Sequence, residues 1–477
     1  MSGPLEGSAF FRDPVHGPIR FGEPASSIID TYEVQRLQYI RQLSTVYLVH
    51  RSANHTRFEH SIGVAHLAGQ AIRNLQLAKD LPEGVTLSAE DRMIVEIAGI
   101  VHDAGHGPFG HVTESVLAWS GVEPNDHETF TRAVINGEFQ EEDGEQIRRY
   151  PGGKSLLSKL DAIMENLGIT TQELAYLATG RFHPKKDFMA QLISSPTDVD
   201  RLDFLARDTY FVGLGRGIID IDTVAGALTV VTTESGPERP WPANELAVDI
   251  QALAAIEATL AVRDHMYAEV YSLPINRAAQ AMLLRATKRL LDGNKISYKE
   301  FVRLTDHSLL LMLRSEGDDY CRDVAWRIEN RRILQRVPEL EYTYYDLETA
   351  QKWDEFVRYI DNPRKNVDLE NEFASRMNPR PADGEIIVDL PHPKRARFVE
   401  ADAKIRTRGS ARSLVEVSPL VRFINETALR RRWRMMVFVP FSQQDPRYSL
   451  LVKEFRERFG LGEPSEYPRL VRSPENE

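Results

Sequence analysis

Apolar positions recur at helical spacing along most of the chain. The first such run, Val34, Leu37, Ile40 and Leu43, predicts a helix over residues 30–43. Ahead of it, the stretch from Phe10 to Ile19 is broken by Pro14, Gly17 and Pro18 and reads as turn-rich. After a loop-like segment over 49–56, a second helix opens at Arg57 and runs to about Ala78. Ile62, Val64, Ala65, Leu67, Ala68, Ala71 and Ile72 leave it little polar face, so it is expected to be buried on most sides. A histidine on such a helix needs a hydrogen bond or a ligand. The third helix has a capping-box start in Ser88 and Asp91, and Ile94, Ile97, Ala98 and Val101 then form one apolar stripe. Gly105, Gly107 and Pro108 stop it, so it delivers His102 and Asp103 at its C-terminal end.

Several helices are expected between residues 112 and 182, with a charged loop over 138–153 to which the pattern assigns no role. Another helix starts in the stretch Ser195 to Asp208, with Pro196 at a tolerated early position and with Asp200, Phe204 and Asp208 sharing a face. The β-prone run Leu228 to Thr233 precedes a Pro/Gly-rich turn over 236–242. A long helix follows from about Val248, in which Arg263, Tyr267 and Tyr271 stack on one face until Pro274. Beyond Asn362 the strand candidates are 385–390, 413–417 and 434–441, with helices over 419–430 and 449–459. The prediction is a mainly α fold: a helical core over 1–361, an α+β region over 362–462 and a polar tail over 463–477.

Composition narrows the class. The chain has 477 residues, 42% hydrophobic and 27% charged, which suits a globular protein with a large core. A net charge of -11 disfavours nucleic acid or an anionic membrane as a general partner, although the basic runs 394–397 and 430–434 could bind an effector nucleotide or another subunit. The single cysteine, Cys321, forms no internal disulfide and suits a reducing compartment. Met1 to Ala9 lacks the pattern of a secretory signal, and no apolar run approaches the ~20 residues that span a bilayer. The expected location is the cytoplasm.

Eight of the thirteen histidines fall between positions 50 and 127: His50, His55, His60, His66, His102, His106, His111 and His127. Histidine is a costly core residue unless both ring nitrogens find partners, so this crowding points to chemistry. Imidazole and carboxylate without thiolate suit a borderline or hard divalent ion: manganese, iron, cobalt, nickel or zinc. An adjacent His-Asp pair supplies two ligands from one helix end, and His60 and Asp200 are the candidates to complete the set. Arg36 and Asp13 are read as a buried ion pair or as site residues.

The spaced residues His60, His102-Asp103 and Asp200 resemble the H...HD...D signature of the HD-domain metal-dependent phosphohydrolases. The words Asp13 to Gly17, Arg36 to Leu43, Thr56 to Val64, His102 to His111 and Asp198 to Asp208 are similar to those of the SAM-and-HD-domain deoxynucleoside triphosphate triphosphohydrolases. Over roughly 10–290 the chain looks like a short, bacterial-type member without the SAM domain, with its metal site within 57–208.

The resemblance implies that His60, His102, Asp103 and Asp200 hold the metal, with magnesium accompanying the nucleotide. It implies that Arg57, Arg201 and Arg263 bind phosphates, that Gln42 and Asp208 contact the sugar 3'-hydroxyl, and that Leu43 and Tyr271 pack on the deoxyribose. His111 would protonate the leaving 5'-oxygen, with Glu114, His127 and Glu128 placing it and His106 addressing the substrate or a metal ligand. The implied reaction is attack of activated water on the α-phosphorus of a deoxynucleoside triphosphate (a dGTPase-like activity), releasing deoxynucleoside and triphosphate. The implied partners are an activator nucleotide and further copies of the chain, as a dimer or tetramer.

The chain departs from the family at Ser44-Thr45 (a glycine pair), Arg201 (a lysine) and Phe204 (an aromatic hydroxyl). At the activator position Asp30 is kept, but Gln38 replaces an arginine and Arg12 an asparagine, which argues against a strictly guanine activator. Two other readings are a nucleotide phosphatase or phosphodiesterase of the same superfamily and a nucleotide- or nucleic-acid-binding regulator with a structural HD site.

Overall fold

A computed structural model describes residues 8–78, 81–123, 125–139, 155–180, 187–214, 219–233, 243–393, 399–408 and 410–465. Most of the charged stretch 138–153, the turn over 236–242, the basic run 394–397 and most of the tail 463–477 lie outside the described residues. The chain forms two compact units: Met1–Asp264 with Ile296–Leu310 and Val399–Val421, and His265–Lys295 with Leu311–Phe398 and Arg422–Glu477. Among the described residues, no helix is long and apolar enough to cross a membrane.

The first unit begins with an antiparallel hairpin, β1 (Ala9–Asp13) and β2 (Gly17–Phe21). Its helical body includes α1 (Arg57–Leu77), α2 (Ala89–Val101), α3 (His111–Ser120), α4 (His127–Ile135) and α5 (Val199–Val212). The expected apolar residues of α1, Ile62 to Ile72, are buried, and α2 starts on the expected capping box of Ser88 and Asp91. Helix α5 starts later than Pro196, because Asp198 caps it by accepting the Arg201 backbone N–H at 2.7 Å.

The helix expected over 30–43 is only partly formed. A short α-turn over Tyr32–Gln35 passes into a 3-10 turn over Arg36–Tyr39, and Ile40 is extended. Val34, Leu37 and Ile40 are still fully buried. The helix gives way because residues 40–42 pair with 55–57: Gln42 N–H donates to the His55 carbonyl at 3.1 Å and Arg57 N–H to that of Ile40 at 3.0 Å.

The expected strand β3 (Leu228–Thr233) is present, whereas the helix expected from Val248 begins only at Leu253, after an unforeseen strand β4 (Ala243–Asp249). β4 pairs antiparallel with β3 and parallel with β5 (Lys404–Thr407), which pairs in turn with β6 (Ser410–Ser413). Val248 opposite Ile405 is therefore a contact over more than 150 residues of chain, and it draws 399–421 into the first unit. A division at 361/362 does not coincide with either unit. The candidate strand 413–417 is a strand end followed by a helical turn, Leu414–Val417, because Ser413 and Glu416 form a capping box.

The second unit is the sheet-containing C-terminal region. Its strand Arg434–Val439 pairs antiparallel with Gln335–Arg336, Tyr342–Thr343 and Ile387–Asp389. Helix Pro446–Phe459 supplies Phe455 and Phe459 to a core with Phe356 and Phe373. Phe455 has no exposed surface, and its ring lies 5.4 Å from Phe373 and 4.8 Å from Phe459. Phe455→Ala is expected to destabilise this unit by about 3–5 kcal/mol, read as a lower urea midpoint in tryptophan fluorescence.

Candidate metal centre and active site

Four side chains converge from α1, the end of α2 and the first turn of α5. His60 Nε2 is 2.9 Å from Asp200 Oδ1 and 3.9 Å from Asp103 Oδ2. His102 Nε2 is 3.4 Å from Asp103 Oδ1 and 3.8 Å from Asp200 Oδ1. His102 donates its Nδ1–H to the Gly99 carbonyl at 2.8 Å, which leaves Nε2 buried with no hydrogen-bond partner. Such an orphaned nitrogen is costly unless it has a ligand. His60, His102 and Asp200 are close enough to share one divalent ion, with one nitrogen already aimed and unsatisfied, and Asp103 borders that set while its own closest grouping is with His106 and His127. Burial pushes the His60 imidazole down, but its hydrogen bonds to Asp200 and Asp203 outweigh this and lift it to about 10. Protons thus stand where a cation would, and metal binding is expected to release them.

The orientation of His60 is set from behind. Its Nδ1–H donates to Asp203 Oδ2 at 2.8 Å, so Nε2 is the nitrogen turned toward the other ligands and the one that a metal would bind once its proton leaves. Asp203 also meets His16 Nε2 at 2.6 Å and Arg207 at 2.9 Å through two nitrogens. Burial raises the Asp203 carboxyl, but the Arg207 charge and these hydrogen bonds hold it well below the usual range. Asp13 pairs with Arg207 at 2.7 Å, while Arg36 donates to the Leu304, Ala104 and His106 carbonyls. The two residues thus serve different partners, one behind the ligands and one holding the loop after α2. The carboxylate fits because position 63 is glycine: a Cβ there would lie 1.9 Å from Asp203 Oδ1.

The remaining candidates of this segment cluster beside Asp103. Arg57 is buried and donates to Asp103 Oδ2 at 2.6 Å, and its Nε has no partner. Gly110, at φ +57°, brings the chain so close to Arg57 that a Cβ would lie 2.9 Å from its guanidinium. His106 approaches Asp103 Oδ1 at 3.3 Å and stacks on His127 with ring centres 4.1 Å apart. Burial, then the Arg57 and His127 charges, push His106 well down, so it is neutral. Glu114 faces His111 at 3.1 Å and His127 at 2.6 Å. His127 is lowered by burial but raised further by Glu114, so its net shift is upward. His111, at the start of α3, is largely exposed, and Glu128 adjoins His127 in the first turn of α4.

Gln42, Leu43 and Asp208 lie around His55. The backbone bridge ties Gln42 to His55, whose ring nitrogen meets Asp208 Oδ1 at 2.7 Å and whose ring stacks on Phe211 at 4.5 Å. Leu43 is buried, and Gln42 Oε1 is buried without a partner. Arg201 is held by its own helix start, pairing with Asp198 at 2.5 Å and with the Ser195 carbonyl. Arg263 is buried on the helix Leu253–Met266, and Tyr271 belongs to the second unit, in a π-turn with Tyr267. Asp203, Arg207 and His16 were not foreseen as site residues. Their signal is three charges, Asp200, Asp203 and Arg207, at helical spacing on a helix that buries the last two.

This geometry defines a helical metal-dependent phosphohydrolase site of the HD type, and residues 57–165 match the HD domain family. Residues 241–461 match the HD associated region. The chain is an HD-domain phosphohydrolase resembling the SAMHD1 family. It is 36% identical to the deoxynucleoside triphosphate triphosphohydrolase SAMHD1 of Gallus gallus over 366 residues, 69% of this chain and 56% of that protein. It is 28% identical to an uncharacterized protein of Methanocaldococcus jannaschii over 447 residues, 94% of this chain and 80% of that protein. The crystal structure of a hypothetical protein from Aquifex aeolicus shares the fold, with a TM-score of 0.63 at 23% identity, over 94% of this chain and 99% of that one.

Two outcomes are expected from these contacts. Gly63→Ala displaces Asp203 from His60 and lowers metal affinity by about 10–100-fold, read as metal retained against a chelator. His66, beside His16 with ring centres 5.6 Å apart, is pushed down to about 4 by burial and then by the His16 and Arg73 charges. The unfolded chain takes up this proton near its ordinary 6.5 and the native chain only near 4, so stability is lost as pH falls through that window. His66→Gln is therefore expected to lose less stability than the unaltered protein between about pH 7 and about pH 5, measured by urea denaturation.

Proposed function

We propose that the protein hydrolyses deoxynucleoside triphosphates to deoxynucleoside and inorganic triphosphate. The observation that carries this reading is Glu114 gripping both His111 and His127 beside the four-ligand set, with Arg57 buried against Asp103. A phosphate ester needs a cation for its oxygens and an acid for its leaving oxygen, and these residues offer both, Arg57 from the start of α1 and His111 from the start of α3. The substrate class comes from the name of the Gallus gallus relative.

A divalent ion held by His60, His102, Asp103 and Asp200 would supply Lewis acidity and make water a stronger nucleophile. Arg57 binds the phosphate nearest the sugar, and Arg263 and Arg201 bind the others, Arg201 after leaving Asp198. Gln42 and Asp208 bind the 3'-hydroxyl, while Leu43 packs on the sugar. Water oxygen bonds to the α-phosphorus as the bond to the 5'-oxygen breaks. His111 gives its proton to that oxygen, Glu114 and His127 hold its ring, and Glu128 shapes the same edge. The bound nucleotide brings magnesium, an activator nucleotide is a further ligand, and the working form is a homo-oligomer.

Orthophosphate release from a smaller ester is the second reading. It is favoured by the engagement of Arg201 with Asp198, which leaves fewer cations facing the ligand set. Product chromatography separates the two readings. Each of the four dNTPs is incubated with manganese, magnesium or cobalt, with and without GTP or a second dNTP. Triphosphate with deoxynucleoside is expected, and orthophosphate alone overturns the proposal. His111→Ala is expected to lower kcat by about 10²–10⁴-fold while metal content per chain, read by elemental analysis, stays unchanged.

A further inference from the structure

We propose that the β1–β2 hairpin is part of the metal centre's support, with His16 and Asp13 as positioning residues that fix the His60 ring through Asp203 and Arg207. The turn carries its own lock. Asp13 Oδ1 accepts the backbone N–H groups of Val15 at 2.8 Å and His16 at 2.9 Å, which leaves Oδ2 for Arg207 at 2.7 Å. The side chains of Arg207 and Asp203 have no exposed surface, and those of Asp13 and His16 are 4% and 5% exposed. Every donor around the Asp203 carboxylate is thus held by a different part of the unit: His16 by the hairpin turn, Arg207 by α5 and by Asp13, and His60 by α1.

A carboxylate with both oxygens occupied has one orientation. His60 keeps Nδ1–H on Asp203 and Nε2 turned toward the other ligands only while that orientation persists. Without His16, Asp203 Oδ1 loses its 2.6 Å partner on the hairpin side, and the carboxylate can swing toward Arg207 and away from His60. The hairpin therefore acts on the metal without touching it, at a sequence distance of 44 residues from His60.

Affinity for cobalt(II) tests this without any substrate, by competition with a chromophoric chelator and by the visible spectrum of the cobalt-loaded full chain. His16→Ala is expected to weaken cobalt binding by about 10–100-fold and to shift the visible band. His16→Gln, whose amide N–H can replace the ring donor, should bind within about threefold of the unaltered protein. Should His16→Ala not fold, Asp13→Asn serves instead, since it loosens Arg207 and should weaken cobalt in the same direction. Unchanged affinity in the folded variant, with only a lower melting temperature of the metal-free protein, overturns the proposal. So does an unaltered protein that binds no cobalt. The proposed reaction fails by a separate measurement, the absence of triphosphate from a protein that does bind cobalt.

Discussion

The Asp203 carboxylate is the constraint around which the first unit is arranged. A charge with no exposed surface is tolerable only when its partners are complete, and removing one partner of a buried pair typically costs about 3–5 kcal/mol. Here the partners come from β1–β2, α1 and α5, so satisfying one carboxylate fixes three segments against each other. Gly63 belongs to the same constraint, since α1 admits the carboxylate only where a side chain is missing. Stability and metal geometry are therefore not separable here, because the contact that makes burial affordable also decides which nitrogen of His60 faces the ligands.

Much of this was legible in the sequence because it depends on local rules. The capping box of Ser88 and Asp91, the buried face of α1, the arrest of α2 before Gly105 and the strand Leu228–Thr233 all follow from short-range periodicity and capping. The convergence of His60, His102 and Asp200 was legible for a different reason: ligand chemistry restricts residue type more than packing does. What failed did so where partners are distant. Residues 40–42 carry a helical pattern but are claimed by 55–57, and β4 exists because of β3 and β5. Asp203 resembles an ordinary helix carboxylate until His16 and His60 are placed beside it.

The loop after α2 shows how burial and charge divide protons among similar groups. His106 and His127 are stacked, yet burial and the Arg57 charge push the first well down while Glu114 outweighs burial and raises the second. Glu114 is itself held well below the usual carboxylate range, where burial raises it but His111 and His127 outweigh that effect. It is thus an ionised anchor between two imidazoles, one half-buried and one open to solvent.

That arrangement bears on how close His102 and His111 lie in sequence. His102 and His111 are nine residues apart, one closing α2 and the other opening α3, and the chain turns sharply between them at Phe109 and Gly110, both at positive φ. A turn of this kind costs of order 1–3 kcal/mol at a non-glycine residue and persists only when its surroundings hold it. Asp306 accepts the Phe109 N–H at 2.7 Å, and Arg36 grips the carbonyls of Ala104 and His106, so the strain is held from the far side of the loop. The residues that fold the loop are thus Asp306 and Arg36, which lie outside it.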